Sequence, residues 1–219
     1  QSMRDEPDFD TSSLDQGIKE NTRKPGQRLP VIFGKARVGS NGVLIEPTGE
    51  DNEYLWIVSN IAEGECEGIE SIDGQDQVFL DDELPPAFGG NVSYWFKSGS
   101  ATQTVESNIN SAIPKFTDNK RYTCYIVWRL TYDRDYFQGV PNRQVVIKGK
   151  RVYDSRDGST KWSRNPVLCL RDYMTSTRYG LGVDPSEIDD GSWNEVANIC
   201  DNKGWTLDLY LTGERNGGD

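Results

Sequence analysis

The stretch Lys148–Gly182, KGKRVYDSRDGSTKWSRNPVLCLRDYMTSTRYGLG, carries two periodicities and decides the fold class. Up to Trp162 it reads as short strands. Val145–Ile147 and Arg151–Tyr153 flank Lys148-Gly149-Lys150, which predicts a tight hairpin, and Asp157-Gly158 predicts a further turn. After Trp162 the apolar spacing widens from two to near four. Asn165 can cap a helix whose first position is Pro166, where a missing N–H costs nothing. Val167, Cys169, Leu170, Tyr173 and Met174 supply an apolar stripe, and Gly180 and Gly182 close the helix and permit positive φ.

Upstream, the same strand signature runs back to Leu29. Residues 121–132 alternate most cleanly, with Tyr122, Cys124, Ile126, Trp128, Leu130 and Tyr132 on one face. The other face, Thr123, Tyr125, Val127, Arg129 and Thr131, is amphipathic, so both faces are expected to be partly covered. Leu29–Phe33, Ala36–Val38, Val43–Glu46, Tyr54–Ile61, Ile69–Ile72, Val78–Leu80 and Val92–Phe96 are further strands punctuated by glycines. Thr104–Ile113 reads as one short helix ended by Pro114. Downstream, Ser192-Trp193-Asn194-Glu195 reads as a capping box opening a second helix. Its apolar face is Trp193, Val196, Ile199 and Cys200, and Gly204 stops it. Trp205–Leu211 reads as a last strand with no partner downstream, as if the chain stopped inside a longer protein.

The expected class is therefore α+β and mainly β. A barrel- or sandwich-like body spans 29–163, and 164–219 holds two helices and a strand that begin a further domain. Residues 1–28 read as an extended arm, with Gln1-Ser2-Met3 resembling the remnant of a cleaved tag. An arm lying on a neighbour and an unstructured terminus fit its polar composition equally.

Composition excludes several functions. With 24 Lys plus Arg against 35 Asp plus Glu, the net charge of -11 opposes a duplex-DNA reader and an anionic membrane surface. No apolar run approaches the roughly 20 residues of a spanning helix. The chain has no histidine, which removes Ser-His-Asp and Cys-His catalysis and His-ligated metals. Cys66, Cys124, Cys169 and Cys200 form no CxxC pair, so they read as small buried hydrophobes in a chain folded in a reducing cytoplasm. No cofactor is expected.

The remaining chemistry is weak. Gly34–Gly42 lacks phosphate-loop spacing and reads as turn punctuation. Asp81-Asp82-Glu83, Asp133 with Asp135, and Asp189-Asp190 read as solvated turns rather than a glycosidase pair. Asp154–Gly158 lacks the alternating ligands and closing Glu of a calcium loop. Asn91-Val92-Ser93 is a formal glycosylation sequon, with nothing to place it in a secreted eukaryotic protein. The tryptophans sit at strand positions that favour core packing over a sugar platform.

Three blocks taken together resemble one family. GQRLPVIFGKARVG (residues 26–39), EYLWIVSNIAEGECEGIESI (53–72) and the opening run of 148–182 occur in the order and spacing of tail-tip, or baseplate central hub, proteins of long-tailed bacteriophages. That is the family of the lambda host-specificity protein, and the likeness runs from about residue 17 to 204. The resemblance implies a non-enzymatic homotrimeric ring in the virion, at the end of the tail tube. Its neighbours would be the distal tail ring, the tape-measure protein and other tail-tip proteins, with receptor-reading domains further along the chain. DNA would only pass through the lumen, which acidic side chains would keep from sticking, and this piece would insert in no membrane. Asn165, Pro166, Arg178, Tyr179, Gly180 and Gly182 would fix the junction between β-body and helices, although Arg178 and Tyr179 read equally well as ordinary turn residues. Two other readings stand beside this one: a peptidoglycan-degrading tail hydrolase with a carboxylate pair, and a carbohydrate-binding β-module using an exposed Trp such as Trp95.

Overall fold

The structure, a computed structural model, describes residues 28–39 and 41–212; the arm, but for Arg28, and the terminal GERNGGD lie outside them. The strands run β1 Val31–Phe33, β2 Lys35–Val38, β3 Asn41–Thr48, β4 Tyr54–Glu63, β5 Cys66–Ile69, β6 Ser71–Ile72, β7 Gln75–Asp76, β8 Val78–Leu80 and β9 Val92–Lys97. Helix α1 (Ser107–Ala112) precedes β10 (Thr123–Thr131), β11 (Arg143–Asp154) and β12 (Ser159–Trp162). Helices α2 (Pro166–Thr175) and α3 (Asp190–Lys203) and strand β13 (Leu209–Leu211) complete the chain. The fold is mainly β with a small helical segment toward the C-terminus.

Strand β10 lies inside a four-stranded antiparallel sheet ordered β3-β4-β10-β9. Its Cys124, Ile126, Trp128 and Leu130 are fully buried, in one cluster with Leu55 and Ile57 of β4. Val78, Leu80, Val145 and Ile147 of a second sheet share that cluster, so the two sheets face each other across one core. The opposite face of β10 is also dry. Tyr125 and Val127 pack with Trp56 and Val58 beneath Ile109 and Ile113, carried by α1 and its end. Two covered faces explain why this strand alternates only partly between apolar and polar. The tryptophans largely follow the packing expectation: Trp128 and Trp56 are buried, and Trp95 stacks on Trp56 at 5.6 Å between ring centres.

The second sheet is organised by β11, which pairs antiparallel with β2, β5, β8 and β12. The expected hairpin at Lys148-Gly149-Lys150 does not form; β11 runs straight through it. Gly149 is required for another reason. A Cβ there would stand 2.1 Å from the carbonyl oxygen of Ile32, and its N–H donates to Gly34 O at 2.8 Å, so β1 crosses β11 at this point. The turn at Asp157-Gly158 does form and joins β11 to β12, with Gly158 at φ +71°.

The C-terminal part also departs from the expected pattern at several points. Strand β13 has a partner, but an upstream one: it pairs antiparallel with β1, Val31 opposite Leu211 and Phe33 opposite Leu209. Helix α3 starts at Asp190, capped by Asp189, which accepts from Gly191 N at 3.1 Å and from the Ser192 hydroxyl at 2.5 Å. Ser192 thus lies inside the helix, because the aspartate one turn earlier offers a better acceptor to the free N–H groups. Its apolar face is shifted: Cys200 is buried as expected, but Ala197 is buried beside it, whereas Val196 and Ile199 are 47% and 43% exposed. In α2 the expected Cys169 is buried and Val167 and Tyr173 pack on the same cluster, but Leu168 takes the place expected for Leu170, which is half-exposed. Gly204, at φ +67°, ends α3 as expected.

Candidate functional site

A network of polar side chains lies where strands hand over to helices. A small apolar cluster of Val31, Phe33, Val152, Leu168, Cys169 and Ala197 joins β1, β11, α2 and α3. Around it runs a hydrogen-bonded frame. Asn165, 4% exposed, uses its whole amide. Oδ1 accepts from Val167 N at 3.0 Å, capping α2, while Nδ2 donates to Ala197 O at 2.9 Å and Asp201 Oδ1 at 2.7 Å on α3. One side chain therefore starts one helix and holds the second. Pro166 occupies the first helical position.

Asp201 is also gripped by the β11–β12 turn. Arg156 donates through Nη1 to Asp201 Oδ2 at 2.6 Å and to Asn198 Oδ1 at 2.9 Å. Its Nε and Nη2 donate to the two oxygens of Asp154 at 2.9 and 2.8 Å. The Arg156 hydrogen bonds hold the buried Asp154 carboxyl below the usual carboxylate range, against the opposing effect of burial. Lys161 adds a charge 3.6 Å from Asp154 and 2.5 Å from Asp157. The segment that faintly resembled a calcium loop is therefore saturated by the chain's own cations. Among the described residues no group of three or more Cys, Asp or Glu could hold a metal ion.

A second set of bonds closes the frame on β1 and β2. Trp162 Nε1 donates to Gly34 O at 2.9 Å, and Leu207 N donates to Arg164 O at 2.8 Å. Arg164 pairs in bidentate fashion with Asp208, whose Oδ1 also accepts from Lys35 N at 2.8 Å. Gly34, at φ +69°, leaves no room for a side chain, since a Cβ would meet Leu207 O at 2.1 Å.

The corner after α2 reaches the β-body. Leu181 N, Gly182 N and Val183 N donate to Tyr173 O, Ser176 O and Met174 O, folding the chain back on the helix's last carbonyls. Gly182 has the expected positive φ of +70°. Gly180 does not; its role is close approach, as a Cβ would lie 1.7 Å from Tyr173 O. Arg178 Nε lies 2.6 Å from Glu63 Oε1 at the end of β4, and its guanidinium sits 5.8 Å from the Tyr122 ring. The Tyr179 hydroxyl donates to Asp172 Oδ2, and Lys150 Nζ of β11 lies 5.5 Å from the Tyr179 ring. Burial raises the Asp172 carboxyl, outweighing Lys150 and Tyr179, which pull it down. Asn165 and Pro166 thus lie in one network, with Arg178, Tyr179, Gly180 and Gly182 in a second at the other end of α2. From sequence, Asp154 and Arg156 lie in a segment that falls short of a calcium loop and Lys150 in an expected hairpin, so neither reading finds these roles; the Asp-x-Arg spacing is the one local signal for the first pair, and Asp201 carries none.

The acidic clusters hold turns, caps and ion pairs. Asp81 accepts from Asn142 N at 2.7 Å, Asp82 pairs with Arg37, and Asp133 accepts from Asp135 N at 2.9 Å. Asp189 caps α3, and Asp190 pairs with Arg171 at 3.0 Å. Glu106, in a cleft along β9 with Asp76, Tyr94 and Lys97, caps α1 by accepting from Asn108 N and Ile109 N.

No protein-family model matches the chain, and no curated protein matches it. Among solved structures it is similar to a chain in the virion of a native gene transfer agent particle, with a TM-score of 0.53 over 91% of this chain and 14% identity. The match spans 48% of that longer chain, and at this identity the likeness is one of fold.

Proposed function

We propose that this chain is a structural part of a virion tail tip, one subunit of a threefold hub ring that closes the tail tube and connects it to receptor-binding domains. The observation that carries the reading is the fold likeness, over 91% of the chain, to a chain of a virion particle. The three sequence blocks point the same way. In this reading residues 29–163 form the hub body and 164–219 open a further hub domain, with the two networks around Asn165 and Arg178 setting the angle between them. Its partners are two further copies, the distal tail ring, the tape-measure protein and other tail-tip proteins; DNA passes through the lumen without being held. The chain folds in the bacterial cytoplasm before assembly and performs no catalysis. No helix of the described residues is long and apolar enough to cross a membrane.

Neither rival gains an observation. The carboxylates of the acidic clusters, Asp81, Asp82, Asp133, Asp189 and Asp190, are engaged in caps, turns and ion pairs, and the Trp95 ring lies against Trp56. Immunogold labelling of purified particles with antibody against this chain tests the proposal. Gold at the tail end is the expected result; gold on the head, or none on intact particles that contain the chain, overturns it.

A further inference from the structure

Cys66 and Cys124 approach each other from opposite sheets. Cys66 belongs to β5, which pairs with β11, and Cys124 belongs to β10. They are 1% and 0% exposed and lie in the same apolar cluster. The backbone fixes the approach: Cys66 N donates to Ser98 O at 2.9 Å and Gly64 N to Tyr122 O at 2.7 Å. Gly99, next along the chain, sits so close that a Cβ on it would stand 2.8 Å from Cys124 N. The 98–99 segment thus touches both cysteines, and after burial Cys66 is the neighbour that acts most on the Cys124 thiol. Cys169, on α2, lies in the junction cluster, and Cys200 is on α3.

We propose that Cys66 and Cys124 are a latent cross-link between the two sheets, a thiol pair in a reducing cytoplasm and a disulfide once the folded chain meets an oxidant. Two S–H bonds break and one S–S bond forms; the two electrons and two protons pass to the oxidant. With a diazene such as diamide, the N=N bond is reduced to HN–NH, and the reaction balances. All four cysteines are free in the structure, so the reduced state is the one described. Burial raises the Cys124 thiol well above its ordinary value, which suppresses the reactive thiolate. Oxidation is therefore slow and follows local opening of the β4–β5 corner. Once formed, the bond closes a loop of about 60 residues, which is expected to raise Tm by about 10 °C.

The test is treatment of the full native chain with diamide, followed by denaturation, alkylation and mass measurement. Two alkylated cysteines instead of four, a Cys66–Cys124 peptide in the non-reducing map, and a Tm rise reversed by dithiothreitol are expected. In Cys66→Ala three cysteines are alkylated before and after diamide, and Tm does not rise. If that variant fails to fold, the peptide map of the unsubstituted chain decides. Four alkylated cysteines after prolonged oxidation, or linkage through Cys169, Cys200 or a second chain, overturn the proposal.

Discussion

The two-sheet body and the strand-to-helix junction are held together by different physics. The body core joins β10, β4 and β11 through fully buried side chains such as Ile57, Ile126, Trp128 and Ile147. Such burial is worth about 1.5–3 kcal/mol for each large side chain and is non-directional, so neighbours can repack around small changes. The junction has a smaller apolar cluster and relies on Asn165, Arg156, Asp154 and Asp201 bonded in fixed directions. Hydrogen bonds contribute only about 1 kcal/mol net, but leaving a buried partner unsatisfied costs more. The body thus supplies stability, and the junction supplies a fixed orientation of α2 and α3 on β1 and β11.

The contrast breaks most visibly at Trp128. Trp128→Ala should lower global stability by about 3–5 kcal/mol, seen as a lower midpoint in urea with the whole chain unfolding together. Gly149→Ala, at the crossing of β1 over β11, should cost about 1–3 kcal/mol, because a backbone carbonyl must move to admit the methyl group. Asn165→Ala should cost about 2 kcal/mol, as it removes a cap and strands the Ala197 carbonyl and Asp201. Hydrogen exchange should then quicken in α2 and α3 while β10 stays protected; equal quickening everywhere would erase the distinction between the two regions.

Acid should separate the regions in the same way. The Asp154 carboxyl is held below its unfolded value of about 3.9, so its stabilisation is complete above that pH and is lost as pH falls through the folded value. Denaturation midpoints measured downward from pH 5 should fall more steeply for the unsubstituted chain than for Asp154→Asn. Arg178→Ala should have the smallest effect, under about 1 kcal/mol, since its pair with Glu63 is exposed on the arginine side.

Local patterns made much of this legible in the sequence. Period-two alternation located β10, and the Asn-Pro pair located the start of α2, because both signals act within a few residues. What stayed hidden depended on distant chain. Gly149 looked like a turn because nothing nearby reveals that β1 crosses there. The partner of β13 lies about 180 residues upstream, beyond any local signal. The start of α3 is ambiguous because two capping patterns overlap at Asp189 and Ser192, and tertiary packing buries Ala197 beside Cys200 rather than Val196 and Ile199. At the candidate site, Asn165 and Pro166 were readable from their own cap geometry. Their link to Asp201 and Arg156 was not, as it joins a hairpin turn to a helix some 45 residues away.

If this chain acts as one third of a ring at the end of a tail, its copy number per particle is the most direct measurement. Quantitative mass spectrometry of purified virions, scaled to the major head and tube proteins, should give three copies. Dozens of copies, as for a shell or tube protein, or far fewer than one per particle, would contradict the hub reading.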